Sequence, residues 1–251
     1  MGSGAPLLPE AGWVHSIPPA QWAVYDRVLA TAERAGIRFA LGGAFAYAWY
    51  TSQFRDTKDM DCYVLPGERA AMIDVLTAAG LEDLFPQNPY DRGWIYRGVR
   101  AGTVVDIIDG FPNYRAELDE RWVTGGPIGR FGETPVRLIP PEELIWAKLY
   151  VFQRGRCDWP DILNLLYEVG PRLAWRHLIS RLGEDLPLLT AALAILRWLA
   201  PGRAASFPPW VWRETQLDEG PLDEVELSPL RVRLLESRPW FIPLMRQRGE
   251  V

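Results

Sequence analysis

Arg55-Asp56-Thr57-Lys58-Asp59-Met60-Asp61-Cys62-Tyr63-Val64 is the stretch on which the reading of the whole chain turns. Residues 59–65 predict a strand, stopped by Pro66-Gly67. Side chains alternate along a strand, so Asp59 and Asp61 share one face while Met60 and Cys62 take the other, toward the core. Arg55 and Thr57 join the aspartates' face if the strand reaches back that far, and from there they would orient the carboxylates. Two neighbouring carboxylates repel, and a fold tolerates this best with a cation between them. Val104-Val105-Asp106-Ile107-Ile108 supplies a third acid, alone in a strongly apolar strand where an unpartnered charge is costly. Asp109 is the weaker candidate, because Asp109-Gly110 reads as a turn. Carboxylate ligands of this kind suit magnesium or manganese. An Asp-x-Asp pair alone is common on exposed strands, and Asp106 alone fits a strand end bonded to backbone. The combination and its order carry the weight.

On the N-terminal side, Pro18-Pro19 opens a helical period through Trp22, Val24, Tyr25, Val28 and Leu29 that closes at Ala35-Gly36. Residues 37–41 read as a short buried strand, Gly42-Gly43 as a turn, and 44–50 as the helix it opens. Glycines at a helix start let backbone N–H groups approach phosphate oxygens, although a lone Gly-Gly is equally a tight turn. On the C-terminal side, 68–79 predicts a helix closed by Gly80. Residues 94–99 and 103–108 predict an antiparallel hairpin around Ala101-Gly102, and 136–139 an edge strand. Pro140-Pro141 marks a change of texture. Helices are expected over 142–153, 159–169, 171–182 and 186–199, then an irregular segment or lid over 201–229, then a short helix over 230–236. There is no internal repeat and no low-complexity tract. The predicted fold class is α+β: a small domain of mixed strands and helices over residues 1–140, then a mainly helical domain over 141–251.

The 251 residues suit one large domain or two small ones, and 48% hydrophobic with 24% charged residues is ordinary for a soluble globular chain. No apolar run approaches the roughly 18 residues of a membrane span. The start of the chain, from Met1 to Glu10, lacks the basic flank and apolar core of a secretion signal. A cytoplasmic protein without membrane partners is expected. Two cysteines, Cys62 and Cys157, and two histidines, His15 and His177, offer neither a disulfide framework nor zinc spacing. Twelve tryptophans are spread along the chain and are expected to form core or cleft walls. The net charge of −5 argues against a general nucleic-acid coat while leaving room for a local basic groove. Of 27 basic residues only Lys58 and Lys148 are lysines, the compact point charge suited to a phosphate, and both lie inside the motifs discussed here.

Gly42-Gly43, then Arg55-x-Thr57-x-Asp59-x-Asp61, then a later aspartate on an apolar strand, resembles the DNA polymerase beta-like nucleotidyltransferase superfamily. The resemblance implies the nucleotidyltransferase fold, a mixed sheet flanked by helices, with Gly42 and Gly43 as a phosphate-binding turn and Asp59, Asp61 and Asp106 as a metal triad. It implies two magnesium ions, one held by all three aspartates and one by Asp59 and Asp61, with nucleotide-side roles for Arg55, Thr57 and Lys58. The second half is similar to the AbiEii-type branch. There Pro141-Glu142-Glu143-Leu144-Ile145-Trp146-Ala147-Lys148-Leu149 is followed by Arg154, Asp158 and Asp161. That similarity implies a phosphate contact for Lys148 and a role near the reacting hydroxyl for Asp158 or Asp161. The resemblance covers roughly residues 37–166, and Ala44 stands where many members have a serine.

Plainer readings stand beside these. A lysine on an amphipathic helix is usually solvated, Asp158 before Trp159-Pro160 suits a helix N-cap, and Asp161 suits the helix dipole. His177 reads as structural. The expected activity is transfer of a nucleoside monophosphate from a nucleoside triphosphate to a hydroxyl of tRNA or of a small molecule such as an antibiotic. A toxin role with a cognate antitoxin is one form of it. The alternative is a non-catalytic nucleotide-sensing or antitoxin-like protein on the same fold, which would be expected to lack at least one metal ligand.

Overall fold

The computed structural model describes residues 9–153, 155–217, 226–235 and 238–251. Expectations for the first eight residues, for Arg154, for 218–225 and for Glu236 lie outside the described residues. The chain divides into two compact units, Met1–Pro140 and Pro141–Val251.

In the first unit, α1 (Pro19–Ala35) has proline at its first position, where a missing N–H costs nothing, and ends on Gly36 at φ +67°. Its stripe Val24, Tyr25, Val28, Leu29 and Ala32 is buried. A short β1 (Phe39–Leu41) leads into α2 (Gly43–Thr51). There follow β2 (Asp59–Val64), α3 (Arg69–Ala78), β3 (Glu82–Asp83), β4 (Ile95–Arg100) and β5 (Thr103–Ile108). The strands form one sheet in the order β1-β2-β5-β4-β3. β2 and β5 run parallel and the other neighbours antiparallel, so the sheet is mixed. α1 and α3 pack on each other and on the sheet, while α2 and α4 (Glu120–Thr124) pack on β2. Met60, Cys62, Val105 and Ile107 are fully buried, as the alternation from Asp59 requires. Several aromatic rings pack within this unit: Trp122 is fully buried and stacks on Tyr63, and Trp13 lies between Phe45, Phe54 and Phe131.

The expected edge strand is displaced. It is β7 (Thr134–Arg137), which pairs with β6 (Ile128–Phe131) in a separate hairpin and meets the main sheet through a Leu41–Leu138 bridge.

In the second unit α5 (Pro141–Leu149) stops short of the expected helix over 142–153. Phe152-Gln153 is instead β8, paired with β9 (Arg156–Cys157). Val151-Phe152 favours extended backbone, and that preference outweighs the helical period here. α6 (Trp159–Val169) follows, then a short 3₁₀ turn over Gly170–Arg172 that delays α7 to Trp175–Leu182. α8 (Leu186–Leu199), α9 (Pro201–Ala204), α10 (Pro209–Glu214), α11 (Pro229–Leu235) and α12 (Ile242–Gln247) complete the unit. The prolines expected to break structure over 201–229 begin helices at Pro201 and Pro209. α5 packs on α6 and α7, and α6 in turn on α8 and α12. No helix among the described residues is long and apolar enough to cross a membrane.

Candidate metal centre

Parallel pairing sets Asp61 directly beside Asp106, with Asp59 two residues earlier on the same face of β2. One carboxylate oxygen from each of the three lies within 4.8 Å of the others. Asp59 and Asp61 are half-buried, whereas Asp106 is 1% exposed.

Asp106 is held from one side only. On β4, Arg97 is its antiparallel partner, and the guanidinium Nη2 lies 3.0 Å from Asp106 Oδ2. Asp106 Oδ1 is buried without a hydrogen-bond partner. Burial, joined by the charges of Asp61 and Asp59, pushes the Asp106 carboxyl up to about 8, against the opposing pull of Arg97. A buried carboxylate with one oxygen unsatisfied, facing two more carboxylates, is a donor set of hard oxygens. The residues present therefore fit a divalent cation such as magnesium or manganese.

Asp59 is steadied by the turn before it. The Thr57 hydroxyl lies 3.1 Å from Asp59 Oδ1 and 2.9 Å from the Asp59 carbonyl oxygen. Gln21 on α1 donates to the Thr57 carbonyl at 2.9 Å and to the Tyr25 hydroxyl at 2.8 Å. Burial, with the nearby carboxylates, raises the Tyr25 phenol well above its ordinary value, so it stays neutral. Thr57 thus belongs to this network although β2 begins only at Asp59.

The glycine turn meets the triad as well. Gly43 has φ +49°, and a Cβ there would collide with the Asp61 carboxylate. A Cβ on Gly42 would strike the Tyr63 ring. Glycine is required at both places by what packs against the backbone. Arg55 is exposed with its guanidinium 5.7 Å from the Tyr47 ring centroid, and Lys58 is exposed. Asp109, the weaker acid, forms an ion pair with Arg69.

The remaining candidates lie in the second unit. Lys148 is buried, with Nζ 2.9 Å from Asp158 Oδ2 and 2.7 Å from Asp161 Oδ2. The plainer reading of Lys148 as a solvated lysine gives way to a buried ion pair. Asp158 occupies the N-cap position of α6 without a capping side-chain hydrogen bond, its carboxylate being turned to Lys148 and Arg156. Burial raises the Asp158 carboxyl, but these two cations outweigh it and hold it below the usual range. His177 lies against the buried Glu143, which Arg181 also approaches, and Glu142 accepts the Ala174 N–H at the start of α7. Sequence reasoning missed Gln21, Tyr25 and Arg97. For Arg97 a signal existed: the two-residue turn pairs Arg100 with Thr103, and counting back pairs Arg97 with Asp106.

No family model and no curated protein matches the chain. Among solved structures it is similar to the antibiotic-resistance factor ANT(2'')-Ia in solution, at 14% identity over 71% of this chain and 97% of that one, with a TM-score of 0.48. It is also similar to the lincomycin-bound lincosamide antibiotic adenylyltransferase LnuA, at 15% identity over 59% and 96%, with a TM-score of 0.43. A third is JHP933 from Helicobacter pylori, at 12% identity over 71% and 76%, with a TM-score of 0.38. Scores below 0.5 leave the reading of this chain to its own residues.

Proposed function

We propose that the chain is a magnesium-dependent nucleotidyltransferase that moves a nucleoside monophosphate from a nucleoside triphosphate to an acceptor hydroxyl. The supporting observation is the convergence of Asp59, Asp61 and Asp106, with a buried, unsatisfied oxygen on Asp106. In this reading Asp59 and Asp61 hold the metal that carries the triphosphate, and Asp106 completes the set on the hydroxyl side. Bound metal would supply a lowered pKa for the attacking hydroxyl and charge neutralisation for departing pyrophosphate. Thr57 fixes the Asp59 carboxylate, and Gly43 gives Asp61 the room to stand beside it. Gly42 and Gly43 also keep the N-terminus of α2 free of Cβ atoms, which favours a phosphate oxygen there. Arg55 and Lys58, both exposed, are assigned to the triphosphate side. The resemblance of the second unit to the AbiEii-type branch assigns Lys148, Asp158 and Asp161 to the nucleotide and acceptor. A complete triad favours the catalytic reading over a non-catalytic sensor.

The acceptor is a hydroxyl of tRNA or of a small molecule such as an aminoglycoside or lincosamide. The test is transfer of label from each α-³²P nucleoside triphosphate to both acceptor classes, with and without magnesium. Labelled product that needs magnesium and vanishes in Asp59→Asn/Asp61→Asn is the expected result. Transfer by that double variant at the wild-type rate would contradict the proposal.

A further inference from the structure

We propose that Arg97 is the resident counter-cation of the triad and sets how tightly the site takes a divalent metal in the absence of nucleotide. The inference rests on the metal-centre reading above. The Arg97 guanidinium offsets part of the negative charge that the three carboxylates bring together.

The contact geometry is unlike that of a purely structural pair. An arginine facing a carboxylate commonly forks onto both oxygens. Here one Nη2–Oδ2 contact at 3.0 Å is made, Arg97 Nε is buried without a hydrogen bond, and Asp106 Oδ1 is left without one too. Arg97 therefore neutralises the carboxylate while leaving one of its oxygens for another ligand. The backbone keeps the guanidinium in place: Arg97 is in register with Asp106, and its N–H donates to the Tyr90 hydroxyl at 2.9 Å. The guanidinium carbon also lies 5.9 Å from the Tyr90 ring centroid.

A fixed positive charge this close to the ligands repels an incoming divalent ion. Even in fully water-like surroundings, repulsion between a unit charge and a divalent ion at close range is on the order of tenfold in affinity. The triphosphate's negative charge offsets it, so the arrangement favours metal arriving with nucleotide over metal held alone.

The experiment is calorimetric titration of Mg²⁺ alone into the full chain at pH 9, for wild type, Arg97→Gln, Arg97→Lys and Asp59→Asn/Asp61→Asn. Losing Arg97 also raises the Asp106 carboxyl further, so the titration is repeated at pH 9.5, and on correction to the ionised site Arg97→Gln should bind Mg²⁺ about tenfold more tightly than wild type. Arg97→Lys, which keeps the charge, should stay near wild type. If Arg97→Gln does not fold, the same comparison is read on Arg97→Met. Affinity unchanged or weakened without the positive charge overturns the role of Arg97, and so does tightening in Arg97→Lys equal to that in Arg97→Gln. Undiminished binding by the double aspartate variant overturns the metal-centre reading along with it. Loss of binding there with no change in Arg97→Gln overturns the inference alone.

Discussion

Asp106 is a buried acid whose carboxyl is raised to about 8, and that shift has a definite consequence for stability. The folded state binds its proton more tightly than the unfolded state does. Its contribution is therefore full below the ordinary carboxylate range and is lost as pH rises toward about 8. Urea unfolding in EDTA across pH 5–8 should show wild type losing about 1.4 kcal/mol per pH unit relative to Asp106→Asn. Parallel profiles for the two proteins would contradict this. Gly43 allows a second residue-level prediction. Gly43→Ala should lose about 1–2 kcal/mol from its left-handed backbone alone and should displace Asp61, weakening Mg²⁺ binding. Retained metal affinity in that variant would show that Asp61 does not depend on the turn. The shared face of Asp59 and Asp61 and the need of Asp106 for a partner were legible in the sequence, because strand alternation and a lone acid among valines and isoleucines are local signals. The collision at Gly43 was not, because it depends on which side chain a distant strand delivers to the turn.

At the scale of elements, the β4–β5 hairpin brings Arg97 opposite Asp106 through a two-residue turn with Ala101 at φ +49° and Gly102 at φ +79°. Both signs suit the right-handed twist of the strands, but alanine is strained there. Ala101→Gly should raise unfolding stability by about 1 kcal/mol, read from the urea midpoint. A loss would show that the turn is held by something other than its backbone geometry. In the second unit, Lys148 on α5 and Asp158 and Asp161 around the start of α6 form a buried cluster. Lys148→Ala leaves two carboxylates facing each other and should cost about 3–5 kcal/mol, whereas a solvated lysine would cost almost nothing. The same denaturation measurement decides. Helical periods were legible wherever an apolar stripe lasted three turns, as in α1, α6 and α8. They failed at 150–153, where a short extended preference interrupted the period, and at 201–217, where prolines start helices that the sequence pattern presents as breaks.

At the scale of the molecule, the helical second half was legible from hydrophobic period, whereas the mixed sheet was expected only from the family resemblance. The order of the strands was not legible, since the parallel β2–β5 pairing joins segments more than 40 residues apart that no local pattern links. That pairing nevertheless makes the candidate site, because it sets Asp61 beside Asp106. The most direct test of the central claim is the melting temperature with each nucleoside triphosphate, with and without magnesium, in wild type and in Asp59→Asn/Asp61→Asn. A ligand that binds only the folded state raises its stability. The account predicts a rise with at least one triphosphate that requires both magnesium and the two aspartates. A rise of the same size in the double variant, or none with any triphosphate, would contradict it.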